Sequence, residues 1–134
     1  MELIPKFRAW LPTLKWMCEV TVIDYDLRSV DICRIEDVAR HTEMRVDKDE
    51  VVLMQSTGLK DKNDVEIFEG DVVKQKMLIP TSGIEEITGV VKMLEGAWTI
   101  VNNKKEIACH LWREGAEMEV LGNIYENPFC GGKQ

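Results

Sequence analysis

The chain has little of what reactive sites are built from. It contains two histidines, His41 and His110, far apart in sequence, and four cysteines, Cys18, Cys33, Cys109 and Cys130. No two cysteines form a C-x-x-C pair, and no histidine stands at ligand spacing from such a pair. Structural zinc needs four donors gathered in that way, so no metal is expected, and no other cofactor is indicated. P-loop, dinucleotide-binding glycine pattern and G-x-S-x-G turn are all missing, which removes the sequence grounds for nucleotide-dependent or serine-hydrolase chemistry. Apolar runs are short, and none approaches the ~20 residues that cross a bilayer. The first ten residues carry Pro5, Lys6 and Arg8 among their apolar positions and lack the unbroken run of a signal peptide. The expected setting is the cytoplasm, away from membranes, with the thiols reduced and packed as small hydrophobes.

An excess of base is also missing. Seventeen Lys and Arg face 24 Asp and Glu, a formal net charge of -7. Non-specific nucleic-acid binding depends on basic side chains displacing counterions from phosphates, so nucleic acid is a less favoured partner than protein. The clearest basic pairs, Lys60 with Lys62 and Lys104 with Lys105, are interleaved with acidic residues and read as solvated loops.

What is present is alternation. A chain of 134 residues suits one domain with its own core, and apolar residues recur at period two between turn-forming pairs, which predicts a mainly β fold. Strands are expected over Leu3–Trp10, Lys15–Ile23, Leu27–Ile32 and Glu50–Gln55, then over Val72–Met77, Ile84–Leu94, Ala97–Val101, Lys105–Trp112 and Met118–Ile124. In the second of these Trp16, Cys18, Val20 and Val22 would share a face. Ile32, Ile35, Val38 and Ala39 fall at helical spacing behind Asp31, a candidate cap, and predict a helical turn. The polar stretch Gly58–Glu66 reads as an exposed connection and as the internal boundary between an N-terminal β-rich segment, 1–57, and a small barrel, 66–127. Gly89 and Gly122 within strands suggest bulges or bends that curve the sheet, and five short strands with tight turns fit an SH3-like barrel.

Three segments carry a family resemblance. They are Lys6-Phe7-Arg8-Ala9-Trp10 with Lys15 and Met17, the long run from Leu53 through Ser56-Thr57-Gly58-Leu59-Lys60-Asp61 to Gly70-Asp71-Val72-Val73, and Glu119-Val120-Leu121-Gly122-Asn123-Ile124-Tyr125-Glu126-Asn127-Pro128. Together they resemble the YopX family of phage and prophage proteins. The resemblance implies a phage or prophage origin and an SH3-like barrel in the C-terminal half, and it brings no established activity with it. Two departures stand out. Asn63-Asp64 replaces the family's usual Asn-Gly, so one of these two must carry the positive φ of the turn, and Phe129 follows Pro128 where an acidic residue is usual.

Candidate chemistry is sparse. Cys109-His110 would be a nucleophile and base, but neighbours on a strand point to opposite faces, so Cys109 is expected in the core with Ile107 and Leu111, and no catalytic residue is assigned. His41 reads as a surface residue. Glu69 and Asp71 flank Gly70 and read as turn chemistry rather than a cation site, and Glu85-Glu86 would diverge on a strand. For the aromatics the core is the default: Trp16 and Trp98 lie in alternating strands and should be buried, and Trp112 beside Arg113-Glu114-Gly115 is the candidate if any tryptophan is exposed. The reading is a non-enzymatic protein-interaction module whose candidate surface comprises Lys60, Asp61, Lys62, Asn63 and Trp112, with a host factor or further copies of the chain as partner. A nucleic-acid-associated accessory protein is the alternative. The first and last strands are further expected to lie together, with Phe7 and Ala9 near Val120 and Gly122.

Overall fold

A computed structural model describes residues 6–126. The fold is mainly β, with two antiparallel sheets and a single 3-10 turn over Lys48–Glu50 as its only regular helix among the described residues. The expected strand start at Leu3, together with Asn127, Pro128, Phe129 and Cys130, falls outside them. Contacts divide the chain into two compact units that meet in sequence at Ser56 and Thr57.

The first unit is built from β1 (Phe7–Leu11), β2 (Trp16–Asp24), β3 (Ser29–Arg34), β4 (Met44–Asp47) and the start of β5 (Val52–Lys60), whose first residues pair with β1. The sheet runs in the order β4-β3-β2-β1-β5-β6, where β6 is Glu66–Phe68. Ala9, Leu11, Cys18, Val30, Ile32 and Val51 form the core, with Trp16, Val20, Ile23, Met44, Val46 and Leu53 packed on it. Trp16 is thus partly rather than fully buried, with the Arg34 guanidinium 5.4 Å from its ring centroid. The expected face Trp16-Cys18-Val20-Val22 holds only as far as Val20. A bulge slips the β2–β3 register between Val20 and Val22, so Ile23 turns inward and Val22 is left exposed.

No helical turn forms behind Asp31. That residue lies in β3, where its carboxylate accepts a 2.8 Å bond from Arg45 Nε. The segment after β3 closes on itself instead, because Asp37 Oδ2 accepts from both Thr42 N and Thr42 Oγ1, at 2.5 and 2.8 Å. Arg40 at φ 61 is incompatible with helix continuation. Ile35 and Val38 are left exposed, so the helical spacing has no core to serve. Met44–Asp47 is a strand that the sequence reading passed over, although its Met-Arg-Val-Asp alternation is the usual half-buried pattern.

The second unit holds the remainder of β5, then β6, and a five-stranded sheet in the order β10-β9-β8-β7-β11. Its strands are β7 (Asp71–Ile79), β8 (Gly83–Leu94), β9 (Ala97–Asn102), β10 (Ile107–His110) and β11 (Glu117–Asn123). Five antiparallel strands between Phe68 and Tyr125 match expectation, but no ladder joins β10 to β11, so a closed barrel is not shown. Ile67, Val73, Val91, Ile100 and Leu111 form the core, flanked by Leu59, Trp98, Cys109, Met118 and Val120. Gly89 is no bulge: Val73↔Gly89 and Val72↔Val90 pair in register. The register shift of this sheet falls instead in β11, between Val120 and Gly122. In the β9–β10 connection the left-handed residue is Glu106 at φ 56, while Asn102 acts through its side chain, donating from Nδ2 to Thr88 O at 2.7 Å and accepting from Lys105 N at 3.0 Å. The sheet partners of β1 are β2 and β5, and that of β11 is β7.

Candidate functional site

The polar connection between β5 and β6 is exposed as expected over residues 62–65, but Asp61 at its start is not. Strand β5 continues through Ser56-Thr57-Gly58 to Lys60, with Gly58 at φ 82, and Asp61 is only 8% exposed. The buried carboxylate accepts three backbone N–H bonds of 2.9 Å: Asn63 and Val65 donate to Oδ1, and Val120 of β11 donates to Oδ2. Lys62 N adds a 2.9 Å bond to Met118 O. Asp61 and Lys62 therefore satisfy the outer edge of β11, which an open sheet would otherwise present to other chains. Asp64, at φ 66, is the residue that carries the left-handed turn in place of glycine. Burial pushes the Asp61 carboxyl up, but the donors from Val120, Val65 and Asn63 and the charge of Lys62 outweigh it and hold it below the ordinary carboxylate range. The side chains of Lys60, Lys62 and Asn63 do face solvent. Lys60 lies 3.5 Å from Asp64, and Lys62 lies 3.8 and 3.7 Å from Glu117 and Glu119, so both cations have carboxylate neighbours.

The other convergence of polar groups was not foreseen. Gln75 of β7 is 1% exposed, and its Nε2 donates to His110 O and Leu111 O at 3.2 and 2.9 Å. Its Oε1 accepts from Arg113 Nη1 at 3.0 Å and from Cys109 Sγ at 3.5 Å, and Arg113 Nη1 also reaches Glu85 Oε1 at 3.0 Å. One buried amide thus fastens the segment that leaves β10 to the β7–β8 hairpin. Trp112, the candidate for an exposed tryptophan, sits on that segment and is 64% exposed. The sequence held a weak signal for this centre, a glutamine between Val73 and Met77 on an otherwise apolar face of Val-Val-Lys-Gln-Lys-Met.

Catalytic chemistry finds no support in the arrangement of the thiols. Cys109 is partly buried rather than wholly so, because Ile107 lies 45% exposed at the sheet edge while Leu111 is fully covered. Its hydrogen-bond partner is Gln75, not His110. Burial pushes the Cys109 thiol up, against the opposing effect of Arg113, and burial takes Cys18 to about 11; an activated nucleophile is shifted the other way. Native-state labelling with a thiol reagent, read by mass spectrometry, is expected to modify Cys109 slowly, and Cys109→Ala should cost about 1 kcal/mol in urea unfolding. Rapid modification of Cys109 would contradict this account. His41 is exposed, beside Thr42 and Asp37. Asp71 is turn chemistry as expected, its Oδ2 accepting from Phe68 N at 2.8 Å. Among the described residues no group of His, Cys, Asp and Glu could hold a metal ion, and no helix is long and apolar enough to cross a membrane.

Comparison with known proteins places this geometry among relatives. The model of the family described as YopX protein matches residues 6–129. The chain is similar to protein EF1440 from Enterococcus faecalis, whose crystal structure it matches at 34% identity over 95% of this chain and 97% of that one, with a TM-score of 0.54. It is also similar in fold to yopX from Bacillus subtilis, at 19% identity over 92% and 94% of the two chains, with a TM-score of 0.57. No curated protein matches.

Proposed function

The chain belongs to the YopX family, and from that premise we propose that it is a non-enzymatic protein-interaction module of phage or prophage origin that works in the host cytoplasm. The observation that carries the reading is Trp112, 64% exposed on a segment that Gln75 and Glu85 hold through Arg113. A large aromatic side chain left in water on a segment that its neighbours tether has its apolar area available for a partner, and tryptophan is among the residue types most enriched where binding energy concentrates. The barrel reading of the second unit draws support from the β5–β6 turn, whose Asp61 and Lys62 continue the hydrogen bonding beyond the outer edge of β11. Nucleic acid fits less well. Lys62, Lys74 and Lys76 all lie within 4 Å of carboxylates, at 3.7 to 3.9 Å from Glu119 and Glu86, and so offer phosphates little uncompensated charge.

The test is affinity purification of the full chain and its Trp112→Ala variant from host cells, with proteins and nucleic acid both identified. Loss of a protein partner by the variant, with an unchanged circular dichroism spectrum, is the expected result. An identical set of co-purifying proteins with and without the Trp112 side chain would overturn the reading. Recovery of nucleic acid by both forms would favour the accessory-protein alternative.

A further inference from the structure

The β7–β8 hairpin carries a strand edge that no strand among the described residues pairs with. Strand β8 is 12 residues long, yet β9 pairs with it only over Val90–Leu94. On its other side β7 pairs with Gly83–Val90, from Ile79↔Gly83 to Val72↔Val90. Gly83–Ile87 is therefore kept extended by one neighbour, and among the described residues no strand pairs with its second edge. No bulge interrupts the ladder here, and the stretch contains no proline, so two common means of blunting an edge are missing. On one face the directly opposed pair Leu78 and Ile84 is 70% and 72% exposed. Glu85 and Glu86 follow on alternate faces. Each is about half exposed and is bridged through one oxygen only, Glu85 to Arg113 at 3.0 Å and Glu86 to Lys76 at 3.9 Å, which leaves a second oxygen for another cation.

We propose that Gly83–Ile87 is a strand-addition site that takes an extended peptide segment of a partner protein, with alternating apolar and basic side chains. The backbone edge supplies the hydrogen bonds, Leu78 and Ile84 take an apolar side chain on one face, and Glu85 on the opposite face selects Lys or Arg over Asp or Glu. A second copy of the chain is a poorer occupant. Antiparallel self-pairing centred on Glu85, which overlaps the whole stretch, sets that carboxylate directly against its equivalent. The inference rests on the protein-interaction reading and gives the partner a chemical form.

The experiment is amide NMR of the full chain titrated with a synthetic peptide alternating valine and lysine, and with a valine–glutamate counterpart. The lysine peptide is expected to shift the amides of Gly83–Ile87 and slow their hydrogen exchange, while the glutamate peptide leaves them unmoved. Ile84→Ser and Glu85→Gln, the latter keeping an oxygen for Arg113, should each weaken binding about tenfold or more. Shifts confined to other strands, equal binding of both peptides, or no binding at all would overturn the proposal. In the affinity purification, loss of the partner with Trp112→Ala but not with Ile84→Ser or Glu85→Gln would leave the interaction reading standing and sink the edge; the reverse pattern would sink the role of Trp112 and keep the edge.

Discussion

Replacing Asp61 by Ala is expected to cost about 3–4 kcal/mol of stability, although the residue sits in the most polar stretch of the chain. The side chain accepts three backbone N–H bonds, from Asn63, Val65 and Val120, and is 8% exposed. Removing it leaves these donors without their acceptor in a place that water reaches poorly. Each unsatisfied donor costs on the order of 1–3 kcal/mol, and relaxation of the turn recovers part of the sum. The loss is also not local, because Val120 belongs to β11 and the other two donors to the β5–β6 turn. Urea unfolding followed by tryptophan fluorescence measures it. A change below about 0.5 kcal/mol, the size expected of an ordinary surface substitution, would show that the turn does not secure β11.

The same carboxylate predicts a pH dependence whose sign follows from its shift. An unfolded Asp titrates at about 4, and the folded Asp61 lies below the ordinary range. As pH falls the unfolded chain takes up the proton first, so the contribution of Asp61 is complete above the unfolded value and is lost as pH drops through the folded one. Asp61→Asn removes the charge at every pH. The stability gap between wild type and Asp61→Asn should therefore be widest near neutrality and shrink on acidification below about pH 4. A gap that stays constant from pH 7 to pH 3 would mean that the hydrogen bonds do not depend on the charge.

How far the sequence reveals this molecule depends on whether a feature is periodic or convergent. Strands that alternate over many residues, such as Trp16–Asp24 and Gly83–Leu94, announce themselves because every second side chain meets the same core. Three-residue β6 and four-residue β4 give too few alternations to stand out from charged surroundings. The slip at Thr21 is invisible to a pattern that assumes an unbroken period of two, and so Val22 was placed on the wrong face. Charged neighbours made Trp112 the candidate for exposure, whereas the Gln75 centre depends on Cys109, His110, Leu111 and Arg113 arriving from more than thirty positions away. Asp61 shows the opposite error. Composition marks Lys-Asp-Lys-Asn-Asp as solvent-facing, but one carboxylate turned inward can take up backbone donors that no apolar residue could satisfy.

Gly89→Ala is expected to be far more damaging than the same change at Gly58, Gly83, Gly96 or Gly115. A Cβ built at Gly89 would lie 2.5 Å from Val101 O, 2.8 Å from Val101 C and 2.9 Å from Ile100 Cγ2. Two of these atoms are backbone of β9, so the clash cannot be relieved by turning a side chain, and β8 must move away from its neighbour. That movement would disturb Val90↔Val101 and Val91↔Ile100, the pairs that place Val91 and Ile100 in the core. Overpacking a rigid core costs about 1–3 kcal/mol; with the β9 backbone in the way and two core residues displaced, about 3 kcal/mol or more is expected here, a large fraction of a typical domain's stability. Gly96→Ala is the control. Gly96 lies in the β8–β9 turn at φ 82 with nothing within 4 Å of its Cβ position, so only left-handed backbone strain opposes the substitution, at about 1–2 kcal/mol. Thermal unfolding of both variants should therefore place Gly89→Ala well below Gly96→Ala. The reverse order would mean that β8 and β9 stand further apart at Gly89 than this geometry requires, and that the curvature of the sheet comes from elsewhere.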